Sequence, residues 1–293
     1  MTNSVTRVQS ERLVDKTIAL ADEDEHVNIL VYAASGVGKT VLGGSDDAVL
    51  FIAPEDNGTL SAKRFGSTAK KWPVHGWQDI EDALTYFESL VYNGETIPYN
   101  WFVIDSATEM QQMCMRWILD EAVRENPSRD PDIPAIQDWQ KYYEAFKRLV
   151  KRFNNLPVNV LWTALEQDAD DEEGNTYKVP LLQGKGVQYA KQFASWMTSF
   201  GYMAVIRQPT GEVDSETEKP VMRERRVIVW RATDRITAKD RTRTLEPRTV
   251  DLSLKQIRER IENGPVQPQP AQTGRVQQAP KGKPAKETEK AGV

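Results

Sequence analysis

The stretch "HVNILVYAASGVGKTVLGG", residues 26–44, constrains the fold of this chain more than any other. "HVNILVYA" is a short apolar run with β-branched residues, which reads as a buried strand. "GVGKT" then supplies two glycines, a lysine and a threonine, and "KTVLGG" opens a helix that its own glycines cut short. Strand, glycine loop and helix in that order make a cradle for phosphate groups. Ala34 leads into it, and the N–H groups of Ser35, Gly36, Val37, Gly38, Lys39 and Thr40 curl around an anion. Lys39 reaches the outer phosphates and the Thr40 hydroxyl ligates Mg²⁺. The full pattern G-x-x-x-x-G-K-[ST] asks for glycine where this chain has Ala33. The expected cost is some freedom in the turn leaving the strand, so affinity rather than the existence of the site is at stake.

Such a unit needs a parallel sheet around it, and the sequence supplies the parts. Apolar runs at 48–53, 101–105, 158–165 and 200–206 read as further strands. Helical spacing between them covers 77–91, 109–123 and 138–153. Strands alternating with helices give an α/β fold with a mostly parallel central sheet flanked by helices. "RQPTGEVDSETEKPVMRERRVIVWRAT" adds a polar turn and an alternating strand, expected as a hairpin on the sheet edge. "SLKQIRERIENG" is a last helix, with Ser253 as N-cap and Gly264 as C-cap. Residues 265–293 are rich in Pro, Gln, Lys and Ala without apolar periodicity, and are expected to be disordered. The chain thus divides into a domain over 1–264 and a tail.

Composition excludes several chemistries. The net charge is -5, so any nucleic-acid contact must come from a local patch. Cys114 is the only cysteine and lies in a helix-like apolar stretch, where it reads as a core residue. His26 and His75 are the only histidines, too few for a histidine metal site or triad. "MTNSVTRVQSERLVDK" lacks the apolar core of a signal peptide, and no run reaches membrane-spanning length. A soluble protein of a reducing cytoplasm, with no membrane contact, is expected.

"WFVIDS" carries the second half of the chemistry. Asp105 at the end of an apolar strand is placed to hold the Mg²⁺ shell together with Thr40. Hydrolysis also needs a carboxylate to polarise water. Ser106 follows Asp105, so that group must come from elsewhere. Glu55 in "VLFIAPEDN" lies just beyond the strand after the loop helix, and Glu109 is a second candidate one helical turn after Asp105.

"YAASGVGKT", "LFIAPEDN", "WFVIDSATEM" and "NVLWTALEQ" together resemble the RecA/RadA-like P-loop ATPases. More narrowly they are similar to phage nucleotide-binding proteins of the Sak type, which promote single-strand annealing and recombination. The resemblance runs from about residue 26 to about residue 250. It implies a RecA-like fold, ATP and Mg²⁺ as cofactors, and Glu55 as catalytic base. It implies a γ-phosphate sensor at Thr163, Glu166 or Gln167, and a K-x-R element at Lys239 and Arg241. Those two would reach the γ-phosphate of a neighbouring subunit, which makes the active form a homo-oligomer, ring or filament. In such proteins the loop after the sensor strand faces single-stranded DNA. Here its first half is acidic and reads as a solvated hairpin tip. Its second half offers Tyr177, Lys178, Lys185 and Gln188 to grip a strand by charge and stacking. The tail, with Lys281, Lys283 and Lys286, adds weak attraction to DNA or docks a single-strand-binding protein. The alternative is a nucleotide-switched assembly factor or chaperone that uses the same core without DNA.

Overall fold

Period-two alternation of large apolar side chains builds a sheet with two buried faces. The computed structural model describes residues 26–54, 57–184, 187–213 and 217–264. In chain order the elements are β1 (Asn28–Ala33), α1 (Lys39–Gly43), β2 (Val49–Ala53), α2 (Leu60–Arg64), β3 (Lys70–Pro73) and α3 (Trp77–Tyr92). There follow β4 (Trp101–Ile104), α4 (Ala107–Glu125), α5 (Ile136–Asn154), β5 (Asn159–Asp170), β6 (Thr176–Pro180) and α6 (Val187–Ser195). The chain then forms β7 (Ser199–Val213), β8 (Pro220–Val229), β9 (Lys239–Asp240), β10 (Arg248–Val250) and α7 (Leu254–Asn263).

The strand order is β3-β2-β4-β5-β1-β7-β8-β10. The first six run parallel; β8 and β10 extend the sheet by antiparallel pairing. This is the α/β fold of a P-loop NTPase, with the expected hairpin, β7–β8, toward one edge. One strand placement matters most: β5 lies between the loop strand β1 and the strand β4 that leads to Asp105.

Leu30 and Tyr32 of β1, Leu50 and Ile52 of β2, Phe102 and Ile104 of β4, and Val160 and Trp162 of β5 share one face. Helices α3, α4, α5 and α6 cover that face, and Cys114 is buried in it as expected. The alternate residues Ile29, Val31, Phe51, Val103 and Leu161 face the other layer, made by α1, α2 and α7. Here Gly43 is a packing residue: a Cβ would stand 2.8 Å from Val103 Cγ1, so glycine lets α1 lie close on β4.

Boundaries moved by a few residues, β5 and β7 running longer than expected. β3 was not anticipated because "KKWP" is short, lysine-rich and at the sheet edge. Helix α6 was also missed: it follows "QGKG", which reads as loop, yet Tyr189, Ala190, Phe193 and Ala194 form a buried stripe. Ser253 caps α7 by accepting from the Gln256 N–H at 3.2 Å. The tail at 265–293 lies outside the described residues.

Asp46 ties α7 to the loop after α1. Its buried carboxylate accepts from Arg258 Nε at 2.9 Å and Trp101 Nε1 at 3.0 Å. Burial pushes this carboxyl up, but the Arg258 hydrogen bond, the Asp47 N–H and Asn100 outweigh it and hold it below the usual carboxylate range. Asp46→Ala leaves the Arg258 guanidinium without its buried partner and is expected to destabilise the fold by about 3–5 kcal/mol, measured by denaturant unfolding. Because the folded carboxyl is depressed, this contribution is complete above the unfolded value of about 3.9 and lost as pH falls through the lower folded value. Wild type should therefore lose its advantage over Asp46→Ala in acid, and an advantage independent of pH would contradict the assignment.

Candidate nucleotide site

The loop between β1 and α1 owes its shape to two glycines in left-handed backbone conformations, Gly36 at φ 80° and Gly38 at φ 112°. Ala33 makes no such demand. It is the last residue of β1, buried, pairs with Leu165 of β5, and packs its methyl into the α1 layer. Alanine in place of the first glycine of the pattern therefore carries no strain. The two glycines after Leu42 do end the helix early, since α1 is only five residues long. A macrodipole typically contributes about 0.3–1 kcal/mol. Each hydrogen bond to a charged group contributes about 1.5–3 kcal/mol. Anion binding here must rest on the loop N–H groups and Lys39, not on the helix.

Asp105, the first residue beyond β4, is the fixed point of the site. Thr40 Oγ1 donates to its Oδ2 at 2.6 Å, and Thr163 Oγ1 donates to its Oδ1 at 2.6 Å. The alternation that buries Val103 and Leu161 toward α1 carries Asp105 and Thr163 to the same face. Thr163 lies within β5, where it also reaches the Ile104 carbonyl at 3.3 Å. Ser106 is joined to Asp105 by a cis peptide bond and caps α4, accepting from the Glu109 N–H at 3.3 Å. Both carboxylate oxygens are thus oriented, one toward the helix that follows the loop.

Lys39 is buried, and its Nζ donates to the carbonyls of Ala33 at 3.0 Å and Ala34 at 2.9 Å. Among the described residues no carboxylate lies within ion-pair distance of it. Burial pulls its pKa down, while the fields of Asp105 and Glu166 oppose that shift. A buried ammonium held by carbonyl oxygens is a receptor for an anion. It lines a cavity of about 470 Å³ together with Ser35, Gly36, Thr40, Asp105, Glu109 and Arg226.

The other expected residues divide. Glu55 lies outside the described residues, although Pro54 brings the chain past the C-terminal end of β2. Glu109 lines the cavity. Of the three sensor candidates, only Thr163 touches Asp105. Gln167 turns away to the Pro180 carbonyl at 3.1 Å. Glu166 holds Lys178 Nζ at 2.9 Å, and Asp168 holds the same ammonium at 2.8 Å. Hydrogen bonds donated by the ammonium to Asp168 and Glu166 raise the Lys178 pKa, and burial together with Glu166 pushes the Tyr202 hydroxyl up to about 12.

Lys239 and Arg241 do not join the cavity of their own chain. Lys239 pairs in β9 with Phe200 at the start of β7, and its Nζ stands 5.7 Å from the Phe200 ring centre. Arg241 donates to the Ser195 carbonyl at 3.1 Å. The loop instead lies at the far end of β1, beyond Ala33. Gln188 is exposed on α6, whereas Lys185 lies outside the described residues. The residue missed from the sequence is Arg226, which reaches the loop from β8. Its only signal was its place in "RERRVIV", a basic run entering a strand.

Residues 25–242 match the AAA domain family. The chain belongs to that family. Its members are AAA-type P-loop ATPases, so nucleotide binding and hydrolysis, usually with Mg²⁺, are what this AAA domain is built for. No curated protein matches the chain. The match ends just after β9, so β10 and α7, which Asp46 anchors, lie beyond it. No helix among the described residues is long and apolar enough to cross a membrane.

The residues present fit a magnesium-bound nucleoside triphosphate. Lys39 and the loop N–H groups would hold the phosphates, and Thr40 with Asp105 would hold Mg²⁺, a metal that takes few protein ligands beside phosphates and water. Thr163→Val keeps volume but removes one of the two bonds that orient Asp105. The Mg²⁺ concentration for half-maximal ATPase activity should rise about tenfold, and the fold should lose about 1–3 kcal/mol of stability. An unaltered Mg²⁺ dependence would show that Thr163 does not position the carboxylate.

Proposed function

We propose that this AAA domain is a RecA-like, Mg²⁺-dependent ATPase that converts ATP and water to ADP and phosphate. We further propose that it acts on single-stranded DNA in recombination, annealing or replication, as phage proteins of the Sak type do. One observation carries the RecA-like reading: β5 lies between the loop strand and the Asp105 strand, and its Thr163 donates directly to Asp105. A polar residue of the intervening strand is thereby tied to the metal-binding carboxylate and stands near the outer phosphates.

In this reading the loop positions the triphosphate and Lys39 offsets its charge, with Thr40 and Asp105 orienting the metal. Glu55 polarises the attacking water; β2, the strand before it in sequence, ends on the side of the sheet where the loop lies. Lys239 and Arg241 act on a neighbouring subunit in a ring or filament; their distance from their own loop supports action in trans. The tail lysines Lys281, Lys283 and Lys286 serve DNA or a single-strand-binding protein.

The proposed DNA grip needs one revision. Lys178 spends its charge on Glu166 and Asp168, so it is a poor phosphate contact. Tyr177 remains, with Lys191 Nζ 5.6 Å from its ring centre, as an aromatic beside a cation. The neutralised Lys178 is also the observation that favours a second reading, a nucleotide-switched assembly factor or chaperone without DNA.

ATPase rates with and without single-stranded DNA separate the two. Stimulation is expected, and indifference to DNA favours the assembly factor. Glu55→Gln should bind ATP normally while turnover falls about 10²-fold or more. If Glu109→Gln produces that loss and Glu55→Gln does not, the base is Glu109. Arg241→Ala should be inactive alone and regain partial activity when mixed with Glu55→Gln subunits, because some interfaces then pair an intact base with an intact finger. A mixture that stays inactive while subunits exchange would exclude action in trans.

A further inference from the structure

Arg226 is built into the loop from outside the P-loop motif. It sits on β8 opposite Val205 of β7. Its main chain is fixed on both sides by Asp251: the Arg226 N–H donates to Asp251 Oδ1 at 2.7 Å, and the Asp251 N–H donates to the Arg226 carbonyl at 2.7 Å. From this anchored point the side chain crosses to the loop. Its Nε donates to the Val37 carbonyl at 3.2 Å, and its Cζ stands 5.6 Å from the centre of the Phe65 ring. A Cβ at position 38 would lie 2.5 Å from Arg226 Nε. Gly38 is needed for its backbone angle, and a side chain there would displace this guanidinium.

Two nearby arginines have carboxylate partners: Arg225 has Asp251, and Arg207 has Glu224. Arg226 has none within ion-pair distance among the described residues. Like Lys39 it lines the 470 Å³ cavity, so two cations face one space, and among the described residues neither has a carboxylate within ion-pair distance, although Asp105 and Glu109 line the same cavity. Arg226 also borders an adjoining cavity of about 360 Å³ formed with Val41, Leu42, Met203 and Leu252. It stands where the loop meets that slot. A planar guanidinium binds phosphate oxygens through two parallel N–H bonds and is weakly hydrated, which suits it to such a place. Its present contacts, one carbonyl and one half-open aromatic face, are weak and exchangeable.

We propose that Arg226 is a phosphate ligand supplied in cis, which leaves the Val37 carbonyl and the Phe65 ring when nucleotide binds. This deepens the ATPase reading and rests on it. The β7–β8 hairpin then senses nucleotide occupancy through its own arginine, independently of any residue from a neighbouring subunit.

Calorimetric binding of ATP, tripolyphosphate and pyrophosphate to the full chain tests this, using wild type, Arg226→Ala, Arg226→Lys and Lys39→Ala. Arg226→Ala should weaken ATP and at least one of the two polyphosphates by about 10- to 100-fold, the scale of a charge-assisted hydrogen bond. Arg226→Lys should keep part of the affinity, and the melting temperature of the nucleotide-free protein should change little in either variant. Unchanged affinity in Arg226→Ala, alongside a loss in Lys39→Ala, would overturn the proposal while leaving the ATPase reading intact. Weakened ATP with unweakened pyrophosphate and unweakened tripolyphosphate would place Arg226 on the base or sugar and overturn it too. Should Arg226→Ala fail to fold, full wild-type affinity in a folded Arg226→Lys would count against a role for the bidentate fork. If wild type binds none of the three, the ATPase reading itself fails.

Discussion

The Asp105 carboxylate, held between Thr40 on one oxygen and Thr163 on the other, is the contact on which the rest of the site depends. It joins three elements that are remote in sequence: the helix after the loop, the strand that ends at Ile104, and the strand inserted between β4 and β1. Removing either hydroxyl leaves a partly buried charged oxygen short of a donor, at a cost of about 1–3 kcal/mol. A metal held by Thr40 and Asp105 inherits this precision. Thr163 contributes without needing to touch the metal.

Charge explains the remainder. Lys39 is buried against two carbonyls, and Arg226 is held by a third carbonyl and an aromatic ring. Neither has a carboxylate within ion-pair distance among the described residues. Elsewhere the fold pairs several half-buried cations with carboxylates, as in Arg258 with Asp46 and Arg152 with Glu81 and Glu88. A polyanion in the cavity would supply such a partner to both cations. The site is therefore an anion receptor in its electrostatics as well as in its loop geometry.

Much of this was legible in the sequence because it depends on local pattern. The loop, the strand ending beside Asp105, the short α1 and the Ser253 cap each follow from residues adjacent in the chain. Parity along β5 also removes one sensor candidate once Leu161 is known to face α1: Thr163 and Gln167 share that parity and Glu166 does not, and the Pro180 carbonyl then draws Gln167 away. The sequence alone lacked the knowledge of which face was which. Arg226 was not legible, since it is 189 positions from the Val37 carbonyl it meets. Nothing in "RERRVIV" says which arginine turns toward the loop. Lys178 misled for a similar reason: a lysine beside glycines reads as free until the β5–β6 register sets it opposite Asp168.

The most direct test is a crystal structure of the full chain with Mg²⁺ and a non-hydrolysable ATP analogue. The account predicts the triphosphate in the loop, with Lys39 Nζ moved from the Ala33 and Ala34 carbonyls to phosphate oxygens. It predicts Thr40 Oγ1 on the metal and Asp105 still held by Thr163. Nucleotide bound elsewhere, or bound in the loop with Lys39 still on those carbonyls and Thr163 apart from Asp105, would contradict it.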